Sequence, residues 1–262
     1  MDFEIPKVMG ILNITDDSFY SRSRTLTEKI IRERTLQMLE EGVDIIDIGG
    51  CSTRPGYKEP PLEIEMNRVE LGCRIVRELS SEIPISVDTY RSYIAEKAIV
   101  DWNVNIINDI SGGVDPDMWS LMGREHLPYV LTYNKSFPAG VSDITAEIIS
   151  DLSKGLNELH RKGVNDVIID PGFGFAKNLE QNFCIFDALN EFVKIGVPIL
   201  VGISRKSMIY KTLDCSPEES LNGTIALNAI ALEKGTSILR VHDVKAAKET
   251  VKLYSAIKNI VA

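Results

Sequence analysis

The 262-residue sequence predicts an α/β protein built as a single (β/α)8 TIM barrel, and two observations lead to that fold class. Eight short apolar runs rich in β-branched residues recur at an average spacing of about 32 residues, the length of one strand–helix unit. The segments between these runs carry apolar residues at helical spacing, as Ile148, Leu152, Leu156 and Leu159 do between the fifth and sixth runs.

Each predicted strand ends in a polar or glycine-rich turn. In chain order the runs read VMGILN, DIIDIGG, IPISVD, VNIIND, YVLTY, DVIID, PILVGI and SILRV. Runs that are apolar on both faces are typical of parallel strands covered by helices. Because no linker or change of composition divides the chain, we expect one domain over residues 1–262.

A doubly wound open sheet is the main alternative architecture. It usually carries a dominant glycine fingerprint after its first strand, and MGILNIT contains no G-x-G-x-x-G. The helix after the first run is predicted from Ile31, Thr35, Met38 and Leu39 on one face, behind a possible capping box that begins at Thr25. The barrel remains the favoured architecture.

The charge of the chain limits the classes of partner. With 29 basic and 38 acidic side chains the formal net charge is −9, so neither nucleic acid nor an anionic membrane is the expected partner. An anionic ligand therefore needs a local cluster of basic side chains.

Cysteine usage and the N-terminus indicate the compartment. The four cysteines are too few and too scattered for a disulfide framework, and none forms a C-x-x-C pair for zinc. The N-terminus has no basic region followed by an apolar core, and no apolar stretch is long enough to span a bilayer. We expect a soluble cytoplasmic protein.

Polar residues follow the predicted strands at their carboxyl ends, where the chemistry of a barrel is found. In chain order these residues are Asn13, Gly49, Gly50, Asp88, Asn108, Asp109, Tyr133, Asn134, Asp170, Ser204, Arg205, Lys206, Arg240 and His242. Acids and amides dominate the first six ends, and cations arrive at the last two. Such a mouth fits a hydrogen-bonding heterocycle that carries an anionic group. Each residue could alternatively be a helix cap, a turn former or a surface charge.

Seven motifs, taken in order, resemble the dihydropteroate synthase family. They read GILNIT with DSF, DIGG with STRPG, SVDTYR, INDISGG, DPGFGFAK, VGISRKS and RVHDV, and they cover nearly the whole chain. The resemblance implies a (β/α)8 barrel that joins 4-aminobenzoate to (7,8-dihydropterin-6-yl)methyl diphosphate. The products are 7,8-dihydropteroate and diphosphate, the cofactor is Mg²⁺, and a homodimer is expected.

The resemblance also implies roles for individual residues. The pterin pocket would be formed by Asp88, Asn108, Asp170, Phe175 and Lys206. The diphosphate would be held by Asn13, Arg240 and His242, with Asn13 also reaching Mg²⁺. The aminobenzoate side would be formed by Asp17, Phe19, Thr53, Arg54 and Ser207. Asp17, Arg54 and Lys206 are the expected catalytic residues.

The chain departs from the family pattern at several positions. In the first loop, Asp16 stands where proline is usual and Ser21 where a second acid is usual. Elsewhere the departures are Cys51 for an acid, Thr132 for a methionine that packs on the pterin, Tyr133 for a histidine, and Gln181 for a histidine. These changes leave the pterin and diphosphate residues intact.

Three other functions stay open at this point. One is a catalytically weak, pterin-binding paralogue, which the altered first loop favours. Another is a methyltetrahydrofolate–corrinoid methyltransferase, which needs no diphosphate site. The third is a Schiff-base aldolase that uses Lys206.

Overall fold

A computed structural model describes residues 3–15, 24–51, 59–137 and 143–261 of the chain. Eight parallel strands make up its sheet, as the sequence predicts. They are β1 Lys7–Asn13, β2 Ile45–Gly49, β3 Ile85–Asp88, β4 Ile106–Asp109, β5 Tyr129–Thr132, β6 Val167–Asp170, β7 Leu200–Val201 and β8 Ile238–Val241.

Helices cover the outside of the sheet. They are α1 Arg24–Glu40, α2 Leu62–Leu79, α3 Ser92–Trp102, α4 Met118–Glu125, α5 Ile144–Arg161, α6 Leu179–Asp187, α7 Leu189–Phe192, α8 Ser207–Tyr210, α9 Leu221–Glu233 and α10 Val244–Val261. Among the residues described, no helix is both long and apolar enough to cross a membrane.

The sheet closes into a barrel. Hydrogen-bonded neighbours follow the order β6-β5-β4-β3-β2-β1-β8-β7, and a single parallel bridge between Ile169 and Ile199 joins β6 to the segment before β7. Strand β1 pairs with both β2 and β8, so the first and last strands are neighbours. The predicted (β/α)8 barrel is thereby confirmed, and the open sheet is excluded.

The barrel interior changes from apolar to polar along the strands. Its amino-terminal part is a cluster formed by Met9, Ile45, Ile106, Val130, Ile168, Leu200 and Ile238. Side chains on a strand alternate between its two faces, so the residue two positions further along also points inward. In five of these strands that residue is polar: Asp47, Asn108, Thr132, Asp170 and Arg240. This polar layer forms the inner surface of the barrel mouth.

The main core lies between the sheet and the helices. It contains the outward side chains of the strands and the inward faces of the helices, and Ile148, Leu152 and Leu159 of α5 are buried in it as the periodicity predicts. Helix α2 packs so closely on β2 that a Cβ on Gly72 would lie 2.8 Å from the Ile48 side chain.

Local capping decides where helices begin. Helix α1 already includes Thr25, so the capping box expected to begin at that residue is wrong. A capping box does open α6, where the Asn178 side chain accepts from the Gln181 amide and the Gln181 side chain accepts from the Asn178 amide. Gln181, one of the departures from the family pattern, therefore serves as a helix cap.

Candidate active site

The predicted site residues meet at one end of the barrel. Asp88 and Asn108 are register partners on adjacent strands, and Gly49 is the partner of Asp88 on the other side. Asn13 is in turn the partner of Gly49. A Cβ on Gly49 would lie 2.8 Å from Asn13 Oδ1 and 3.7 Å from the Asp88 Cβ. Because glycine has no Cβ, the Asn13 amide oxygen can lie over Gly49 of β2.

Arg240 lies between two carboxylates in the interior. Its Nε donates to Asp47 Oδ2 and its Nη2 to Asp88 Oδ2, both at 2.7 Å. The Asp47 side chain is fully buried and that of Arg240 is 16% exposed. Removing one member would leave a buried charge without its partner, which costs about 3–5 kcal/mol. The predicted diphosphate residue Arg240 and the predicted pterin residue Asp88 are thus one ion pair.

A set of buried polar side chains lines the barrel beside this ion pair and includes its member Asp47, and we call the set the barrel floor: Asp47, Ser86, Asn108 and Thr132. Asn108 Nδ2 donates to Asp47 Oδ2 at 3.2 Å. One side-chain oxygen of each floor residue is buried and has no hydrogen-bond partner in the described part of the chain: Asp47 Oδ1, Ser86 Oγ, Asn108 Oδ1 and Thr132 Oγ1. A buried polar atom without a partner is costly, so a ligand with matching donors gains by reaching it.

The pKa of Asp88 is raised. Burial favours its neutral form, Arg240 opposes that effect, and the Asp47 carboxylate adds to it. Two acids and one guanidinium share this part of the site, so Arg240 does not present an unpaired positive charge.

Asp170 and Lys206 form the opposite side of the mouth. Asp170 Oδ1 accepts from the Gly172 amide at 2.7 Å. Lys206 Nζ donates to the carbonyl of Phe173 and lies 4.8 Å from the centroid of the Phe175 ring. The predicted pterin residues Asp170, Phe175 and Lys206 therefore lie in one group around the β6–α6 loop, residues 171–178.

Burial shifts the pKa values of Asp170 and Lys206 in opposite directions. Burial raises the pKa of Asp170, and the Lys206 ammonium opposes the rise. Burial lowers the pKa of Lys206 to about 8, and Asp170 opposes the fall. At neutral pH the lysine keeps its proton and can donate to a ring acceptor.

His242 follows β8 and is neutral at pH 7. Its Nδ1 lies 3.1 Å from Ser204 Oγ. Surrounding protein atoms and the Arg240 guanidinium lower the pKa of His242 to about 4, although the residue keeps an exposed surface. Arg34 of α1 donates to the His242 carbonyl. The histidine is thus held for hydrogen bonding rather than as a cation.

The β7–α8 connection is held by an arginine and carries Ser207. Arg205 has a φ of 55° and donates to both carboxylate oxygens of Asp243, at 2.8 and 2.9 Å. Ser207 is the first residue of α8 and is half-buried. This ion pair links the ends of β7 and β8, next to Lys206.

Of the residues predicted for the aminobenzoate side, Ser207 alone belongs to the described part of the chain. Asp17, Phe19, Thr53 and Arg54 lie outside the described residues, as do the first-loop departures Asp16 and Ser21. Cys51, which precedes the STRPG loop, is half-buried, and burial raises the pKa of its thiol to about 11. The thiol is therefore protonated at neutral pH.

Several residues that the sequence analysis did not select take part in the site. Asp47 joins Arg240 to Asn108, and its position two residues before Gly49 places it on the inward face of β2. Lys177 and Asn182 bond the β6–α6 loop from within. The alternation of side chains along a strand could have identified Asp47. No local pattern indicates which atoms Lys177 and Asn182 contact.

The described residues offer little to a metal ion by themselves. No group of three or more His, Cys, Asp or Glu side chains in those residues could hold a metal ion. Asn13, at the end of β1, carries an amide oxygen, which is a suitable ligand for Mg²⁺. Magnesium usually takes one or two protein ligands and completes its shell with water and substrate phosphates. The donor set fits that mode of binding and no closed metal site.

Comparison with known families and structures gives a consistent result. The sequence profile of the family described as "Pterin binding enzyme" matches residues 9–242. The dihydropteroate synthase of Bacillus subtilis is 39% identical over 258 residues, which cover 96% of this chain and 88% of the relative.

Solved structures agree in fold over almost the whole chain. A Clostridium difficile dihydropteroate synthase, crystallised in the presence of pteroic acid, superimposes with a TM-score of 0.92 at 34% identity and covers 97% of both chains. The Xanthomonas albilineans dihydropteroate synthase with 4-aminobenzoic acid gives a TM-score of 0.91 at 32% identity, over 98% of this chain and 94% of that one.

Proposed function

The chain belongs to the pterin binding enzyme family, and on that premise we propose that it catalyses the formation of 7,8-dihydropteroate. Its substrates are 4-aminobenzoate and (7,8-dihydropterin-6-yl)methyl diphosphate, and diphosphate is released. The observation that carries this proposal is the barrel mouth itself, where Arg240 joins Asp47 to Asp88 while Asp170 and Lys206 lie at the same end.

The acids and amides of the mouth suit the pterin. A pterin ring presents an amino group and ring N–H groups to acceptors, and ring nitrogen and oxygen atoms to donors. Asp170 and the unpartnered Asn108 Oδ1 are acceptors, and the Lys206 ammonium is a donor beside the Phe175 ring. We assign Asp88 to the same ring, since it is raised in pKa and buried next to Asn108.

The diphosphate is assigned to the β1 and β8 ends. Arg240 uses two of its five N–H groups on Asp47 and Asp88, which leaves donors for phosphate oxygens. Neutral His242 and the Asn13 amide add hydrogen bonds without adding charge. The diphosphate would therefore bind next to carboxylates whose negative charge Arg240 already balances.

The reaction needs a positioned leaving group more than a protein nucleophile. The lone pair of the aromatic amine forms a bond to the methylene carbon, and the electrons of the C–O bond leave with the diphosphate. The amine then loses a proton. An aniline is unprotonated at neutral pH, so catalysis consists of holding both partners in line and stabilising the charge on the departing oxygens. Arg240 can donate to those oxygens through the N–H groups that Asp47 and Asp88 leave unused, and the Lys206 ammonium adds positive charge at the same mouth.

Magnesium fits the diphosphate side. We propose that Asn13 contributes its amide oxygen to Mg²⁺ together with diphosphate oxygens. When bound, the ion would neutralise negative charge on the leaving group. Asp17, Thr53, Arg54 and Ser207 are proposed to complete the aminobenzoate side, with Asp17 and Arg54 acting in catalysis.

A homodimer in the cytoplasm remains our proposal for the state of the protein. Apolar side chains point outward from neighbouring helices: Ile230 of α9 is 44% exposed, and Leu253 and Ile257 of α10 are 69% and 59% exposed. A second copy would cover such side chains. The four cysteines, all within the described residues, form no disulfide bond, as is usual in reducing compartments. Sedimentation of the purified protein measures the oligomeric state.

Turnover by the purified protein tests the proposed reaction. With both substrates and Mg²⁺, we expect one 7,8-dihydropteroate per diphosphate released, measured by chromatography and by an assay that detects diphosphate. Tight binding of the pterin substrate without turnover would instead support a catalytically weak paralogue. Methyl transfer from methyltetrahydrofolate to cobalamin would support the corrinoid methyltransferase alternative.

A further inference from the structure

Lys177 is a half-buried cation whose described hydrogen bonds all go to backbone carbonyls. Its Nζ donates to three carbonyl oxygens: Gly172 at 2.8 Å, Phe175 at 3.1 Å and Tyr133 at 3.2 Å. An ammonium group has three hydrogens, so these bonds use its full donor capacity. Lys177 closes the DPGFGFAK motif, yet it has no donor left for a ligand.

These bonds join two segments that form the mouth. Tyr133 follows β5, whereas Gly172 and Phe175 belong to the β6–α6 loop. The ammonium also lies 4.9 Å from the centroid of the Tyr133 ring. Gly172 has a φ of 73°, and a Cβ on it would lie 2.0 Å from the Tyr133 carbonyl oxygen. The loop thus packs tightly against the end of β5, and Lys177 bonds to both segments.

The other end of the loop is fixed by Asn182 of α6. Its Oδ1 accepts from the Gly174 amide at 2.8 Å, and its Nδ2 donates to the Asn178 carbonyl at 2.7 Å. Asn182 is 2% exposed. The backbone of the loop is therefore held at both ends by side chains that bond to backbone groups.

The loop residues to which Lys177 bonds also contact the residues that are proposed to bind the pterin. The Gly172 amide donates to Asp170 Oδ1, and Lys206 lies over the Phe175 ring. Movement of Gly172 would remove a hydrogen bond from Asp170. Movement of Phe175 would remove the ring that faces Lys206. Lys177 thus acts on the surroundings of Asp170 and Lys206 through the loop backbone.

We propose that Lys177 is a positioning residue for the pterin substrate, acting through the carbonyls of Gly172, Phe175 and Tyr133 rather than by contact. This inference rests on the proposed function only in its choice of ligand. Burial lowers the pKa of Lys177 to about 8, with Asp170 opposing and Lys206 adding to the effect, so the ammonium form prevails at neutral pH.

Three variants test the role. Lys177→Met keeps the length of the side chain and removes its donors, and Lys177→Arg keeps a cationic donor. Lys154→Met is the matched control, because Lys154 is exposed on α5. If the methionine variant does not fold, Lys177→Gln replaces it. Each protein is titrated with (7,8-dihydropterin-6-yl)methyl diphosphate by calorimetry, and steady-state kinetics give a separate Michaelis constant for each substrate.

We expect Lys177→Met to raise both the Kd and the Michaelis constant for the pterin substrate by about tenfold, since carbonyls lose their donor and the loop loses its anchor. At saturating pterin substrate, the Michaelis constant for the aminobenzoate should change less than about twofold, and Lys177→Arg should recover most of the loss. Unchanged Kd, equal loss in the arginine variant, or a lower melting temperature with unchanged kinetics would each overturn the positioning role.

Hydrogen exchange without any ligand separates this inference from the proposed function. Lys177→Met should speed exchange of the Gly174 amide, which donates to Asn182, and of the Phe175 amide, which donates to the Gly172 carbonyl. Lys154→Met should leave both exchange rates unchanged. Failure of the wild-type protein to form dihydropteroate would contradict the proposed function and leave this measurement valid. Unchanged exchange in the loop would contradict the inference even in an active enzyme.

Discussion

The barrel floor and the β6–α6 loop are both polar, but their polar atoms are satisfied in opposite ways. Each of the four floor residues has a buried side-chain oxygen without a hydrogen-bond partner in the described part of the chain. In the loop, by contrast, the Lys177 ammonium and the Asn182 amide bond to backbone groups of the loop itself.

This difference separates binding from support. A floor atom without a partner gains a bond when a ligand arrives, so its removal should affect the liganded state most. A loop atom already has its bond, so its removal should affect the geometry of the protein itself. Four substitutions or changes of condition test this distinction, beginning with the largest expected effect.

Replacing Arg240 by alanine should damage both binding and stability, because the residue pairs with Asp47 and Asp88 and belongs to the proposed diphosphate site. We expect turnover to fall by about 10²–10³-fold from lost charge stabilisation, and unfolding free energy to fall by about 3–5 kcal/mol as Asp47 and Asp88 lose their partner. Initial rates and denaturant unfolding measure the two losses. The control is Arg124→Ala, whose surface pair with Glu96 should contribute less than about 1 kcal/mol. Normal turnover in Arg240→Ala would exclude the diphosphate assignment.

Asp170→Asn should weaken binding while sparing the fold. Asparagine Oδ1 can still accept from the Gly172 amide, so the melting temperature should change little. Loss of the carboxylate acceptor should weaken binding of the pterin substrate by about 1–3 kcal/mol, measured by calorimetric titration. The control is Asp151→Asn on the exposed Lys135 ion pair, which should leave affinity unchanged. A large loss of stability with normal affinity would make Asp170 a part of the scaffold alone.

Raising the pH from 7.5 to 9 should move stability and affinity in opposite directions. Burial lowers the pKa of Lys177 and of Lys206 to about 8 in the folded protein, below their ordinary 10.5. In this range the unfolded chain binds more protons than the folded one, so the unliganded protein should gain about 1–3 °C in melting temperature. Affinity for the pterin substrate should fall, because Lys206 loses the proton it donates.

The pH window has an upper limit. Burial raises the thiol pKa of Cys51 to about 11 and of Cys73 to about 12, above the ordinary 9.0, so the unfolded chain loses thiol protons that the folded protein keeps as the pH approaches 9. These two groups offset part of the gain from the lysines near pH 9 and lower stability further above it. Thermal unfolding and titration at pH 7.5 and 9 are the measurements. If the melting temperature and the affinity for the pterin substrate both rose or both fell, the result would contradict the assigned pKa shifts.

Thr132→Val should have the smallest effect, and it should separate ligand binding from structural support most clearly. Valine matches the shape of threonine, and Thr132 Oγ1 has no partner among the described residues, so unliganded stability should stay equal or rise by up to about 1 kcal/mol. Pterin affinity should fall by about threefold from one lost hydrogen bond. Thr236→Val, a buried hydroxyl of the same kind just before β8, should show the stability change without the affinity change. Unchanged affinity in both variants would remove Thr132 from the site.

The barrel could be predicted from the sequence because its signals are local. Alternation of apolar runs with helical segments repeats eight times, and each repeat carries its own strand and helix periodicity. The polar ends of these runs then follow from the rule that parallel strands present their carboxyl ends together. This rule finds six residues of the mouth: Asn13, Asp88, Asn108, Asp170, Lys206 and Arg240.

The sequence determined most of the side chains that reach the barrel mouth, since strand direction and side-chain alternation are properties of short segments. Only the tertiary structure decided which of them pair. Asp47 lies 193 residues before Arg240, and Tyr133 lies 44 residues before Lys177, yet each pair is joined by a hydrogen bond. Such contacts depend on how the sheet closes and on which donors this closure brings within hydrogen-bond distance of a buried acceptor. No local pattern in the sequence encodes that geometry.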